Sequence, residues 1–282
     1  VRRNGGRSGA SEGPSKFREV LRRTGAVVNP VTNVDLSNIS ITDAGDIQPG
    51  LELERAHTLL AQIVERIVSA GGVPFVVGGG HDIGYPDCYG AIKGLGHGDM
   101  GVINVDSHFD VRPLKQGRVH SGCPFRLLLE SEEFTGSFVE FGAQSHQCCC
   151  DHRDYILGCN QIGRVETEIH WLDNMHGDVI GHFDSVLQSL NLKHPSVCVS
   201  FDMDAIRASD MPGVSCPAPI GLTTDDALHI AEQAGLNPKC AMFDMVEFNP
   251  RAEAYLSGKL CALMFYRFCH GFAIRRASAI RK

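Results

Sequence analysis

Three apolar, β-branched runs in this chain each end in a cluster of Asp, His and Gly. Val73 to Val77 leads into Gly78-Gly79-Gly80-His81-Asp82. Val102 to Val105 leads into Asp106-Ser107-His108-Phe109-Asp110, and Val197 to Val199 into Ser200-Phe201-Asp202-Met203-Asp204. Runs of this kind read as buried strands of a parallel sheet. In an open α/β sheet, ligands bind where strands end, at their carboxyl edge. The three runs therefore predict one place that collects two imidazoles and four carboxylates: His81, Asp106, His108, Asp110, Asp202 and Asp204.

Between these strands the apolar spacing switches to that of helices. Leu51 to Ala70 carries Leu59, Leu60, Ile63, Val64, Ile67 and Val68 on one face. Lys16 to Arg23, Asp87 to Lys93, Cys123 to Glu130, Val179 to Leu190 and Ala252 to Phe268 also read as helices. A further helix opens at Thr223-Thr224-Asp225-Asp226 and is expected to close at Gly235. Phe138 to Phe141, Ile169 to Leu172 and Ala241 to Val246 read as strands. Val34 to Ile47 alternates as a strand followed by a turn. Strand and helix alternate along residues 1–282, with no composition shift to mark a boundary. The prediction is a single three-layer α/β/α domain around a mostly parallel central sheet.

Composition narrows the function. A formal charge of −7 argues against a nucleic-acid or anionic-membrane surface. No apolar run approaches the ~20 residues that span a bilayer. The opening residues lack the apolar stretch of a signal peptide, so the expected location is cytoplasmic. The eleven cysteines, Cys148-Cys149-Cys150 among them, form no zinc-type pairs and read as reduced thiols.

Four carboxylates in one place repel each other and cannot all ionise without cations between them. An oxygen-dominated set with two imidazoles suits Mn²⁺, and two such ions per chain neutralise it. On an extended strand the alternation in Asp106-x-His108-x-Asp110 points all three side chains to one side. Two further residues complete the chemistry. Glu247, at the end of another strand, is expected to pair with a cationic substrate group and hold it in line. His120 is expected to protonate a leaving group.

These motifs resemble those of the arginase/agmatinase (ureohydrolase) family. Residues 78–82, Asp106-Ser107-His108-Phe109-Asp110 and Asp202-Met203-Asp204 look like its ligand motifs, and Asp244-Met245-Val246-Glu247-Phe248-Asn249-Pro250 resembles a fourth, all in the family's order. The resemblance implies a manganese-dependent hydrolase of guanidino or amidino C–N bonds. It implies that His81 and Asp110 hold one ion and His108 and Asp204 the other, with Asp106 and Asp202 bridging. The loop Val119-His120-Ser121-Gly122-Cys123-Pro124-Phe125-Arg126 is similar to that of the formiminoglutamase branch, as is the Arg- and Gly-rich opening. That likeness implies conversion of N-formimino-L-glutamate and water to L-glutamate and formamide. A small dicarboxylate needs cationic or amide partners, for which Asn4, Arg7 and Arg126 stand out, with Arg3, Arg112 and Arg153 behind them. An agmatinase or guanidinobutyrase, or a non-catalytic metal-binding regulator, are the alternatives. The sequence leaves assembly as a homo-oligomer open.

Overall fold

The structure is a computed structural model that describes residues 5–47 and 50–280. The apolar runs become strands β1 (Phe75–Val77), β2 (Gly101–Val105), β3 (Ser137–Ala143), β4 (Glu166–Trp171), β5 (Val197–Asp202) and β6 (Cys240–Val246). They pair in the order β1-β6-β5-β2-β3-β4, and every pairing is parallel. The helices are α1 (Gly13–Leu21), α2 (Leu53–Ser69), α3 (Gly84–Leu95), α4 (Pro124–Glu130), α5 (Cys150–Ile162), α6 (Val179–Lys193), α7 (Thr224–Leu236) and α8 (Leu256–Ile280).

Successive strand residues point to opposite faces, and both faces are covered. Ile103, Val105, Phe141, Val199 and Phe243 pack with α1, α6, α7 and α8. Val102, Phe138, Cys198 and Met242 pack with α2, α3, α4 and α5. This gives the three expected layers. From β2 the chain steps outward through β3 to β4, whereas from β5 it steps the other way to β6. The reversal falls between neighbours β2 and β5, where a parallel sheet leaves a crevice at its carboxyl edge. No helix among the described residues is long and apolar enough to cross a membrane.

Four expectations change. Val34 to Ile47 forms no strand. It holds a 3-10 turn at Leu36–Asn38, Ile41 is exposed, and Arg18 ties the segment down through Asp43 and Asp46 at 2.7 and 2.6 Å. Helix α5 went unread because Cys148-Cys149-Cys150 and several polar residues obscure the short buried pair Ile156 and Cys159. Helix α8 starts later than Ala252, since the Glu253 carboxylate accepts the N–H groups of Tyr255, Leu256 and Ser257 and so fixes the first turn. Gly235 lies within α7 rather than ending it, and its role is close approach. A Cβ there would meet Phe268 O at 2.0 Å, just as one on Gly271 would meet Glu232 O at 2.2 Å. The α7 and α8 backbones touch at these two glycines.

Gly235→Ala is therefore expected to force the helices apart at a cost of about 1–3 kcal/mol. Urea unfolding measures this, and an unchanged midpoint would contradict the backbone contact.

Candidate metal centre

The centre is built on two turns of the same kind. At the end of β2, Asp106 Oδ1 accepts the main-chain N–H of His108 at 2.8 Å. At the end of β5, Asp202 Oδ1 accepts the N–H of Asp204, also at 2.8 Å. An Asp that bonds the amide two residues on curls the chain. The expected extended alternation is thus corrected: β2 stops at Val105, and Asp110 adopts a left-handed φ of 46°. Curling rather than extension brings the side chains together.

Each of these aspartates turns its second oxygen on His81, which follows β1 in a 3-10 turn. Asp106 Oδ2, Asp202 Oδ2 and Asp110 Oδ2 each stand 3.1 Å from His81 Nδ1. On the far side of the ring, Nε2 is 3.0 Å from Ser200 Oγ, and that hydroxyl donates to Asp244 Oδ1 at 2.7 Å. With its proton committed to Asp244, Ser200 accepts from Nε2–H, so Nδ1 is the free nitrogen of the neutral ring. A bare lone pair then faces three carboxylate oxygens. Such an arrangement needs a cation or a proton at its centre, and its four donors lie within 4.8 Å of one another. The donor set fits a hard divalent ion that also accepts imidazole.

A second group adjoins the first. His108 Nδ1 is 3.2 Å from Asp106 Oδ1 and 3.4 Å from Asp204 Oδ1. One ring nitrogen of His108, one oxygen of Asp204 and Cys216 Sγ all lie within 4.8 Å of each other. Asp106 thus presents one oxygen to each group.

The electrostatics are those of crowded acids. Burial, then the charges of Asp204 and Asp106, push Asp202 well above the carboxylate range. Burial and Asp106 likewise raise Asp110. Asp106 is also buried, but its bonds to His108 and His81 outweigh burial and hold it low. Burial opposes charge on His81, yet the three aspartates overcome it and raise its pKa.

Glu247 joins from β6. Its backbone is left-handed, φ 64°, and its Oε1 accepts the main-chain N–H of His81 at 3.0 Å. Oε2 is buried and has no hydrogen-bond partner among the described residues. Burial, then the charge of Asp204, lift this carboxyl to about 7.

The other expected residues fare differently. The buried His120 ring accepts Gly122 N–H at Nδ1, 3.1 Å, and its Nε2 is 3.1 Å from Pro113 O. Both nitrogens serve the backbone, Nδ1 as an acceptor and Nε2–H as a donor, so the ring braces its loop. Arg7 donates to Ser215 O and Val214 O at 3.0 and 2.7 Å. Arg126 pairs with Glu130 at 2.9 Å, donates to Val111 O at 3.2 Å and stacks on Tyr155. These two guanidinium groups tie loops together rather than reaching into the centre. Asn4 and Arg3 lie outside the described residues. Arg153 pairs with Asp154. Positive charge does gather beside α5: burial first, then the charge of Arg112, with Arg126 adding to it, keep His152 below its usual pKa. A cavity of about 930 Å³ opens beyond the turn at residues 78–80, beside the His57–Asp82 pair, but takes in none of the six clustered Asp and His residues.

Sequence reading passed over Ser200, the role of Asp244, and Cys216. The first two stood inside quoted motifs, and a histidine beside a Ser–Asp pair was the available signal. For Cys216, twelve residues past Asp204, no spacing gave notice.

Residues 2–269 match the arginase family. The formimidoylglutamase of Geobacillus thermodenitrificans is 31% identical over 275 residues, covering 93% of this chain and 77% of that protein. The Trypanosoma cruzi formiminoglutamase, in a crystal structure with two Mn²⁺ ions, superposes with a TM-score of 0.89 at 43% identity, covering 97% of this chain and 89% of that one. Proclavaminate amidino hydrolase of Streptomyces clavuligerus shares the fold at 22% identity, TM-score 0.81, over 96% and 88% of the two chains.

Ser200→Ala removes the hydroxyl between His81 and Asp244 and leaves both buried partners short of a bond. It is expected to cost about 1–3 kcal/mol in the metal-free protein, read by urea unfolding. Wild-type stability in that variant would show that the hydroxyl does not link the two.

Proposed function

The chain belongs to the arginase family, and from that premise we propose that it hydrolyses an amidino C–N bond with manganese, taking N-formimino-L-glutamate and water to L-glutamate and formamide. The observation that carries this is Nδ1 of His81 facing three carboxylate oxygens at 3.1 Å, in a chain similar to proteins named formimidoylglutamase. His81 and Asp110 would hold one Mn²⁺ and His108 and Asp204 the other, with Asp106 and Asp202 shared between them. When bound, a pair of divalent ions makes water acidic enough to act as a nucleophile at neutral pH.

The protein's own groups do the positioning. The Asp106 and Asp202 turns fix one oxygen of each carboxylate on a backbone amide, so the other oxygen is aimed before any ion arrives. Ser200 and Asp244 hold the His81 ring in one tautomer. Glu247 is anchored through Oε1, which leaves Oε2 to accept an N–H of the cationic formimino group. That bond orients the planar carbon for attack. The substrate's two carboxylates are drawn by the positive charge that Arg112 and Arg126 place beside α5.

Glutamate release from N-formimino-L-glutamate, set beside urea release from agmatine and arginine, tests the substrate. The formimino compound is expected to have the highest kcat/KM, and a higher value for either guanidine would overturn the assignment.

EDTA is expected to abolish activity and lower the melting temperature, with Mn²⁺ restoring both, because the ions bind only the folded cluster. Full activity in protein shown by elemental analysis to be metal-free would rule out the metal chemistry. Glu247→Gln is expected to retain two Mn²⁺ per chain while kcat/KM falls by about 100-fold, the scale of a misplaced substrate. Undiminished turnover in that variant would remove Glu247 from the site.

A further inference from the structure

Cys216 stands at the His108 side of the centre, and nothing in the reaction above uses it. Its sulfur shares a sphere of 4.8 Å with a His108 ring nitrogen and an Asp204 oxygen. Asp204 is buried, whereas Cys216 is exposed and can be reached from solvent. The thiol donates to Gln147 Oε1 at 3.7 Å and also bonds the His108 side chain.

The chain that carries the thiol is held from two directions. Arg7 grips the carbonyls of Val214 and Ser215, and Ser215 Oγ returns a bond to Arg7 O at 3.2 Å. Val214 bridges to Phe248 beyond β6, and Asn249 N–H donates to Gly213 O at 2.7 Å. The sulfur is therefore presented to the centre by a pinned segment, in the same way as the carboxylates.

We propose that Cys216 is a thiolate donor to the ion on the His108–Asp204 side, so that this half of the centre takes thiophilic ions such as Zn²⁺, Co²⁺ or Cd²⁺ in preference to Mn²⁺. The inference rests on the two-ion reading given above. Thiolate is a soft ligand, and adding one to imidazole and carboxylate shifts a site away from Mn²⁺. As the metal–sulfur bond forms, the thiol proton passes to solvent. With the shared Asp106 and Asp202, His108, Asp204 and Cys216 bring the donors on this side to five, enough to leave a four-coordinate zinc ion no position for water. A thiophilic ion at this position then blocks turnover, and exchange for Mn²⁺ restores it.

Co²⁺ serves as the probe, added to metal-free, fully reduced protein while near-ultraviolet absorption is followed. The wild type is expected to develop a thiolate-to-cobalt charge-transfer band that saturates at one ion per chain. Cys216→Ser is expected to lose the band, and Cys148→Ser, the control on the neighbouring thiol, to keep it. In competition, with free Mn²⁺ read by electron paramagnetic resonance, the preference for Zn²⁺ over Mn²⁺ is expected to fall more than about tenfold in Cys216→Ser. Two Co²⁺ bound without the band, or a band lost only in Cys148→Ser, would overturn this inference and leave the two-ion reading standing. No Co²⁺ bound at all would overturn both.

Discussion

The arrangement depends on one repulsion. Three carboxylate oxygens converge on one nitrogen of His81, 3.1 Å from each, and crowd their negative charge around it. The protein does not relieve this by letting the side chains splay. It locks one oxygen of Asp106 and one of Asp202 onto backbone amides, and it locks the back of the His81 ring onto Ser200. The folded state therefore carries an unfavourable charge density that a bound cation offsets. The rest of the sheet is the frame that keeps the crowding in place.

The sequence disclosed the layout of this site better than its mechanics. The three strand ends could be read because buried parallel strands are continuous apolar runs, and each was followed by residues that seldom cluster without cause. The helical face of α2 was equally plain. What could not be read was how the chain leaves a strand. Alternation suggested an extended Asp106-x-His108-x-Asp110, but the N–H of His108 finds its acceptor in the Asp106 side chain, and the backbone curls instead. Local hydrogen bonds of that kind compete with the ladder and leave no trace in hydrophobic period.

The basic loop residues could be read as residue types but not as contacts, for a related reason. Arg7, Arg126 and His120 are the residue types that bind substrates, and they sit in loops beside the motifs. Chain position alone does not tell a ligand from a brace. In the fold their donors and acceptors are taken by main-chain groups and by Glu130, as buried or half-buried polar atoms require. The Val34 to Ile47 segment failed differently. Its alternation was real, but among the described residues it pairs only through the single Val28–Asp35 bridge, too short to grow into a ladder.

One bond joins two functions that are usually discussed apart. Glu247 Oε1 is held by the main-chain N–H of His81, so the carboxylate proposed to grip the substrate and the imidazole proposed to grip an ion move as one body. Linkage is reciprocal: whatever tightens one partner's hold must tighten the other's by the same free energy. On that proposal, an ion lost from the His81 side would slacken the turn on which Glu247 leans, and a bound amidine would stiffen it. Affinity for metal and affinity for substrate are then two faces of a single equilibrium, and selection on either one acts on both.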